Sequence, residues 1–342
     1  MKHHALAATA AIAFAALAAP AAQAQPAWPA AKPITLIVPF TAGGSVDVTA
    51  RMVADKLSEK LRQSVVVDNV GGAGGTVGVG KAVQAAPDGY TLVMGVDSAI
   101  AIAPYANPKA VRYNVARDLV PVGLVNTAPM VVVARPDFPA SNLAETIALA
   151  KKEPGRLSYA TSGVGTVLHL GMELIKQRGQ FHAVHVPYRG GAQIATDVMG
   201  GQVDLAMLVS VSAAPHVQAG KLKGIAVTGP ARLAILPKVP TVAETPGFKG
   251  FEVVTWSGLF APARTPAPVV EQLNRTLNEV LAMPEIRSRM EAQGALPGSG
   301  SAKDFAGFVA REQQRYERAV KDAGIKEYIG LWPFLGGRRQ LC

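Results

Sequence analysis

Residues 32–57 read KPITLIVPFTAGGSVDVTARMVADKL, and this stretch decides what fold to expect. The run from Ile34 to Val38 is short, apolar and rich in β-branched residues, which is typical of a buried strand. Apolar residues then recur at helical spacing over residues 45–62. The loop between them contains Gly43 and Gly44, which let the backbone turn sharply and approach a ligand closely. The order predicts a strand, a tight loop and a helix.

The start of that helix is a candidate anion site. Free N–H groups at a helix start, together with the helix dipole, attract a carboxylate or a phosphate. Ser45 or Asp47 is placed to cap the helix. A plain strand–turn–helix connection explains the same residues equally well, so this segment alone leaves the two interpretations open.

A second loop of the same kind occurs at residues 161–170, which read TSGVGTVLHL. It follows a predicted strand, and Thr166 is placed to cap the next helix. Ser162, Thr166 and His169 bring side-chain donors to one spot. Two such loops, at the carboxyl ends of strands in different predicted lobes, predict a cleft in which an anion is held from both sides.

The chain as a whole predicts an α/β fold with two lobes. Short apolar runs alternate with helical stretches, which indicates largely parallel sheets, and the chain is mostly helical from Pro268 onward. Proline-rich breaks at residues 128–129 and 237–246 bracket a middle block. If the last third returns to the first lobe, lobe 1 comprises residues 25–126 and 247–342, and lobe 2 comprises residues 127–246. Two crossings then give a hinged clamp.

Residues 1–24 predict a cleaved signal peptide and hence export to the periplasm. The segment has a basic start at Lys2, an apolar run from Ala5 to Ala19, and the small-x-small sequence Ala22-Gln23-Ala24. The apolar run is too short to span a bilayer.

Composition excludes several classes of function. The 342 residues carry a formal charge of +10, but an aromatic content of 6% and the lack of a dense Lys/Arg run argue against nucleic-acid binding. Cys342 is the only cysteine, so neither an intrachain disulfide nor a cysteine metal cluster can form. We expect no cofactor and no metal.

Three further motifs carry little functional weight. The glycine-rich segment at residues 71–81 resembles a phosphate-binding loop, but Ala82 stands where Ser or Thr must meet magnesium, so a flexible connection is the better interpretation. His182 and His185 lie three apart on a predicted strand, where their side chains point to opposite faces, which disfavours a shared metal. Trp256 is a core residue or a cleft wall.

Five segments of the chain together resemble the Bug receptors, the extracytoplasmic solute receptors of tripartite tricarboxylate transporters. The match covers nearly the whole mature chain. The segments are Lys32 to Leu57, Ala86 to Gly95, Ser158 to Leu174, Val186 to Met207, and Thr255 to Asn274.

The resemblance implies a two-lobed periplasmic-binding-protein fold of the second type, in which each lobe is a mostly parallel sheet flanked by helices. It implies a carboxylate ligand enclosed between the lobes and held by main-chain amides and water rather than by an arginine. Carried over residue by residue, the implied ligand loops are Phe40, Thr41, Ala42, Gly43, Gly44 and Asp47 in lobe 1, and Thr161, Ser162, Gly165, Thr166 and His169 in lobe 2.

Other implied pocket residues are more scattered. Ser98 and Asp204 are counted as ligand-binding, and the stretch after Asp204 leads to Val209 and Ser210, where the family closes the pocket. Arg189 lies in the family's PYRGG-like turn, where it either shapes the loop or touches the ligand.

The sequence departs from the family pattern in two places. Residues 95–104 read GVDSAIAIAP, with Ala103 where the family often has Asn. If Asp97 in this segment lines the pocket, it disfavours a second ligand carboxylate nearby and favours a neutral or ammonium-bearing group. If Asp97 faces solvent or caps a helix, it says nothing about the ligand. The tail at residues 328–342 is foreign to the family.

The resulting expectation is a monomeric periplasmic receptor that captures a small organic carboxylate and delivers it to the membrane subunits of a tripartite transporter, without a chemical step. Two rivals stay open. The protein is alternatively a sensory module that presents its ligand to a membrane kinase. A secreted hydrolase using Ser162 or Ser98 with His169 is the third interpretation.

Overall fold

The computed structural model describes residues 28–323. The predicted signal peptide, residues 1–24, and the unusual tail, residues 328–342, lie outside the described residues. No helix in the described part of the chain is both long enough and apolar enough to cross a membrane.

Within residues 28–323, ten strands form one continuous mixed sheet in the order β2-β1-β3-β9-β4-β7-β5-β6, and β8 and β10 also pair with β4. The outer pairs β1–β2, β1–β3, β5–β6 and β5–β7 are parallel, as predicted, whereas all pairs that involve β4 or β9 are antiparallel. The strands are β1 (Ile34–Val38), β2 (Val65–Asn69), β3 (Thr91–Val96), β4 (Leu119–Ala134), β5 (Ser158–Thr161), β6 (Val184–Pro187), β7 (Leu205–Val209), β8 (Lys223–Val227), β9 (Val254–Pro262) and β10 (Leu296–Pro297).

Eleven α-helices lie among residues 28–323, and several begin just beyond the carboxyl end of a strand. They are α1 (Ser45–Leu61), α2 (Thr76–Val83), α3 (Ala103–Ala106), α4 (Val115–Asp118), α5 (Leu143–Lys152), α6 (Val167–Gly179), α7 (Gly191–Met199), α8 (Ser210–Gln218), α9 (Ala267–Ala282), α10 (Pro284–Glu291) and α11 (Ala302–Asp322). The predicted α/β fold with two lobes is confirmed. One lobe contains β1 to β3, the other contains β5 to β8, and β4 and β9 lie between them.

The glycine-rich segment predicted as a connection has regular structure instead. A short 3₁₀ turn at Ala73–Gly75 leads into α2. Gly78 lies in α2 where a β-carbon would come within 2.8 Å of Pro39 Cα, so only glycine lets the helix pack this closely on the loop after β1.

The strand β4 is the outgoing connection between the lobes, and it continues through Pro129, where the sequence predicted a break. Residues up to Pro129 pair with β9, and residues from Met130 onward pair with β7 and β8. Proline has no N–H to donate, so it is tolerated where the strand changes partners.

The outgoing and returning connections are tied together by the buried residue Thr228. Its hydroxyl accepts a hydrogen bond from the Met130 N–H at 2.9 Å and donates to the Val253 carbonyl at 2.6 Å. Backbone bonds join the same three residues, from Thr228 N–H to the Met130 carbonyl and from Val253 N–H to the Thr228 carbonyl. The two crossings therefore form one hydrogen-bonded unit.

Candidate functional site

A cleft of about 690 Å³, including space that opens to solvent, lies between the lobes. Both lobes and both crossing strands contribute to it. Its lining comprises Phe40, Gly44, Ser45, Val46, Thr49, Val96, Asp97, Ser98, Asn126, Ala128, Ser162, Val167, Leu168, Gly191, Leu208, Val209, Val211, Ser212, Thr255, Trp256 and Ser257.

Three helices that begin at this cleft have no side-chain cap. The residues preceding α1, α7 and α8 are Gly44, Gly190 and Val209, none of which supplies a capping hydrogen bond. The first N–H groups of a helix have no partner within the helix, and the helix dipole adds positive charge at the same end. The cleft is therefore surrounded by main-chain donors suited to an anion.

The starts of α1 and α7 face each other across the cleft. A β-carbon placed on Gly44 would lie 3.7 Å from the amide nitrogen of Gly191, although the two residues belong to different lobes. The two helix starts therefore approach each other closely, and an anion beside this contact would lie near main-chain donors of both lobes.

The loop before α1 is shaped by Asp47, which is almost fully buried. Its carboxylate accepts hydrogen bonds from the Gly43 N–H at 2.9 Å, from Arg51 at 3.0 Å and from the Asn69 amide at 2.9 Å. Burial opposes ionisation, yet these hydrogen bonds hold the pKa of Asp47 below its usual value. The predicted cap by Ser45 or Asp47 is wrong: Gly44 is the N-cap residue, and Asp47 holds the loop rather than the helix start.

The loop before α6 is held by its own side chains. Thr166 is the N-cap residue, as predicted, and its hydroxyl accepts from the His169 N–H and donates to the Gly163 carbonyl. His169 Nδ1 accepts from the Gly165 N–H at 3.2 Å. Ser98 of the other lobe accepts from the Val167 N–H at 3.1 Å. Most donors at this helix start already have protein partners.

A stack of rings supports the second loop from behind. His169 lies 4.2 Å from His185 between ring centroids, and His185 stacks on Tyr159 at 4.9 Å. His185 Nε2 also bonds the Thr161 hydroxyl at 2.7 Å. Burial lowers the pKa of His169, and burial together with the neighbouring His169 lowers the pKa of His185 to about 3. Both rings are therefore neutral at physiological pH.

Asp97 both lines the cleft and caps a short π-helical turn, so the two interpretations left open by the sequence are both realised. Its side chain is fully buried, and one carboxylate oxygen accepts from the Ser98 N–H at 2.7 Å. The other accepts from the Trp256 N–H at 3.3 Å and from the Tyr316 hydroxyl at 3.4 Å. Burial raises the pKa of Asp97 to about 7, against the opposing effect of hydrogen bonds from the Thr255 side chain and from the Ser98 and Trp256 N–H groups.

Trp256 is both a core residue and part of the cleft wall, the two interpretations that the sequence left open. It is 1% exposed and makes edge contacts with Phe305 and Phe308, yet it belongs to the cleft lining. Its indole N–H has no acceptor among the described residues.

The predicted site residues fall into groups. Cleft-lining positions are Phe40, Gly44, Asp97, Ser98, Ser162, Val209 and Trp256. Positions that shape the two loops are Gly43, Asp47, Thr161, Gly165, Thr166 and His169. Thr41 and Ala42 are exposed within the first loop, Arg189 lines a neighbouring cavity, and the Ser210 hydroxyl donates to the Gly294 carbonyl of the other lobe.

Asp204 does not lie at the cleft. It precedes β7, at the end of the strand opposite to the carboxyl end where Leu208 and Val209 line the cleft. Its carboxylate accepts from Arg135 Nε at 3.2 Å and from the Ser158 N–H at 2.9 Å. The sequence-based ligand role of Asp204 is corrected to that of a link between strands.

Sequence reasoning missed the polar residues of the crossing strands. Asn126 on β4 and Ser257 on β9 are hydrogen-bonded at 2.5 Å and line the cleft, as does Thr255. Ser212, in the first turn of α8, also lines it. Only the pairing of β4 with β9 brings these residues together, and no local motif marks them.

Among residues 28–323, the cleft lining contains no basic side chain, and Asp97 is its only ionisable residue. Within residues 28–323, no cluster of three or more His, Cys, Asp or Glu residues could hold a metal ion. Ser162 and Ser98 are not hydrogen-bonded to a histidine in the described chain, since His169 bonds the Gly165 N–H and Ser98 bonds Asp97 and Val167.

Two α/β lobes around a cleft lined by main-chain donors define a solute-binding protein of the periplasmic type. Residues 49–325 match the model of the tripartite tricarboxylate transporter family receptor, and the chain belongs to this family. It is a solute receptor, as the resemblance to the Bug receptors predicted.

Individual relatives agree with this assignment. The protein BugT of Bordetella pertussis is 35% identical over 296 residues, which cover 86% of this chain and 90% of BugT. A solved R. palustris structure with adipate has a TM-score of 0.84 at 33% identity, covering 87% of this chain and 99% of that one. MatC from Rhodopseudomonas palustris with bound malate has a TM-score of 0.80 at 32% identity, covering 84% and 99%.

Proposed function

We propose that this receptor binds a small organic carboxylate between its lobes in the periplasm and delivers it to the membrane subunits of a tripartite transporter, without a chemical step. The observation that carries the proposal is the group of uncapped starts of α1, α7 and α8 at a cleft whose lining, within the described part of the chain, contains no basic side chain. Main-chain N–H groups are then the main source of positive potential for the ligand.

The energetics favour a carboxylate at this position. Removing a carboxylate from water is costly unless its oxygens find new donors. Hydrogen bonds from N–H groups to a charged oxygen contribute about 1.5–3 kcal/mol each, more than bonds between neutral groups. Opposed helix starts from both lobes, at Gly44 and Gly191, offer such donors and would make binding depend on closure.

The relatives support the same ligand class. The R. palustris structure was solved with adipate and MatC with malate, and both ligands are dicarboxylates. We propose a carboxylate for this chain on that similarity together with its own cleft geometry.

The clamp consists, in our proposal, of lobe 1 at residues 25–126 and 247–342, and lobe 2 at residues 127–246. Ser98 and Val167 bond across the cleft at 3.1 Å, and so do Ser210 and Gly294. Such contacts stabilise the closed arrangement, and the closed surface is the one that a transporter would recognise. The receptor acts as a monomer, and residues 1–24 direct its export.

The test is isothermal titration calorimetry of the purified mature protein against straight-chain mono- and dicarboxylates, amino acids and aromatic acids. We expect saturable binding of at least one carboxylate, with a smaller radius of gyration in X-ray scattering when it is bound. The amides of the same acids serve as uncharged controls and are expected not to bind. The proposal would be contradicted if no carboxylate binds saturably, or if an acid and its amide bind with equal affinity.

A further inference from the structure

Asp97 is a buried acid in the wall of an anion-binding cleft. It follows β3, it is 0% exposed, and it lines the cleft together with its neighbour Ser98. The uncapped helix starts make the rest of the cleft favourable to negative charge, whereas this wall carries a carboxyl group. The helix starts favour a negatively charged group on the ligand, whereas the Asp97 wall disfavours one.

The partners of Asp97 are neutral. They are the main-chain N–H groups of Ser98 and Trp256 and the hydroxyls of Ser98, Thr255 and Tyr316. Ion pairs among residues 28–323 do not involve Asp97, and each of its hydrogen-bond partners is uncharged. Its charge is therefore not cancelled locally.

The titratable groups around Asp97 do not supply a cation either. From α11, Tyr316 bonds it and Glu312 repels it, while Arg315 is engaged with Glu312 at 3.3 Å. From β9 the neighbours are Thr255 and Trp256, which do not ionise near neutral pH. From α6, Val167 and Leu168 line the cleft, and His169 is turned toward Gly165 and Glu173.

A second negative charge close to Asp97 is strongly disfavoured. Charges interact more strongly in a buried site than in water because the effective dielectric constant is lower. A nearby anion also favours the protonated form of a carboxyl group, which for Asp97 already becomes populated near pH 7. A ligand carboxylate on this side would therefore enter together with a proton.

We propose that Asp97 is a specificity-determining residue that sets the charge of the ligand at its wall of the cleft. One ligand carboxylate is held at the uncapped helix starts, and a neutral or ammonium-bearing group lies on the Asp97 side. A dicarboxylate that reaches this wall binds with uptake of one proton. The inference rests on the proposed function and specifies its substrate class.

The experiment uses series of ligands matched in length: straight-chain dicarboxylates, the ω-amino acids and the plain monocarboxylates. Calorimetry is run on the wild-type protein below and above pH 7, in buffers of different ionisation enthalpy, so that proton uptake is measured directly. We expect the ω-amino acid or the monocarboxylate to bind more tightly than the dicarboxylate above pH 7. Dicarboxylate affinity should fall about tenfold per pH unit there, with about one proton taken up per ligand.

The variant Asp97→Asn removes the charge at nearly constant shape, and Asp204→Asn is the matched control, because it removes a carboxylate outside the cleft lining. Asp97→Asn should abolish proton uptake and raise the affinity for the dicarboxylate relative to the affinities for the other ligands. Asp204→Asn should change neither the proton uptake nor these relative affinities. If the variant does not fold, the wild-type proton uptake still decides the question.

The outcomes separate this inference from the proposed function. Dicarboxylate binding without proton uptake and without pH dependence would overturn the role of Asp97 and leave the receptor function intact. An unchanged ligand preference in Asp97→Asn would do the same. If no carboxylate of any series binds to wild type or variant, the proposed function fails, and the inference fails with it.

Discussion

The loops before α1 and α6 have similar sequence patterns, but the N–H groups at the two helix starts have different partners in the structure. Before α1, Asp47 holds the loop from below, and the helix start itself has no side-chain cap. Before α6, Thr166 and His169 occupy the donors of the loop and the helix start, and Ser98 takes another from the opposite lobe.

The difference shows that a helix start at a cleft is not in itself an anion site. What matters is whether its N–H groups have protein partners. By this criterion α1, α7 and α8 are available to a ligand, while α6 mainly supports the wall and the contact between lobes.

The largest effect is expected from capping α1. Gly44 has φ −79° and ψ 171°, a conformation open to any residue, and a β-carbon there would make only ordinary contacts. In Gly44→Asp the new carboxylate would occupy the donors of α1 and repel a ligand. We expect carboxylate affinity to fall about 100-fold, or about 3 kcal/mol, measured by calorimetry.

Gly44→Ala is the matched control, because it adds the β-carbon without a charge or a cap. It should bind within a few-fold of wild type. If alanine and aspartate weaken binding equally, the role assigned to the uncapped start of α1 is wrong.

The second prediction concerns acid. The pKa of His185 is lowered from 6.5 to about 3, so the neutral ring stabilises the fold above pH 6.5 and this contribution is lost as the pH falls toward 3. Asp97 acts in the opposite direction, because its raised pKa makes the fold more stable on acidification. We therefore compare wild type with His185→Gln, which isolates the histidine.

The difference in unfolding free energy between these two proteins should shrink by about 2 kcal/mol from pH 6.5 to pH 4, after discounting for partial exposure. Urea unfolding at a series of pH values measures it. The exposed His182→Gln is the control and should track wild type. The pKa of the Asp47 carboxyl is lowered, so the ionised carboxylate should stop stabilising the loop before α1 only below pH 3.8.

The third prediction concerns the cap of α6. Thr166→Val removes the hydroxyl that accepts from the His169 N–H and donates to the Gly163 carbonyl. The unfolding free energy should fall by about 1 kcal/mol, as for other lost N-caps, while ligand affinity changes less than in Gly44→Asp. Thr166→Ser keeps the hydroxyl and should restore the stability. A loss of affinity as large as that of Gly44→Asp would remove the distinction between the two loops.

The smallest effect is expected at the contact between lobes. Ser98→Ala leaves the Val167 N–H without its acceptor in the closed form. We expect carboxylate affinity to fall about fivefold, close to 1 kcal/mol, with a matching rise in the dissociation rate seen by stopped flow. Ser212→Ala, a cleft serine that is not part of this contact, should leave the dissociation rate closer to wild type. An unchanged rate in Ser98→Ala would show that the contact does not stabilise closure.

Much of this fold could be predicted because local patterns are strong where burial is regular. The run Ile34 to Val38 is a strand, the helix after it begins at Ser45, and Thr166 caps α6 as expected. Parallel pairing of the outer strands follows from alternation of strands with helices.

The remainder depends on contacts between distant segments. The sequence suggested a break at Pro129, but partners on both sides keep β4 extended through it. It also assigned Asp204 to the ligand, whereas its partner Arg135 lies 69 positions away. The cleft residues Asn126 and Ser257 meet only after β4 and β9 pair. Contacts between residues so far apart in the chain cannot be predicted from the spacing of residues in the sequence.

The hydroxyl of Thr228 has a consequence for how the molecule can move. Because it bonds both Met130 and Val253, the connections between the lobes cannot swing independently. We expect opening to bend the molecule at this hydrogen-bonded unit, because twisting the lobes against each other would first break buried hydrogen bonds. The two lobes would then come together in the same relative position each time the cleft closes.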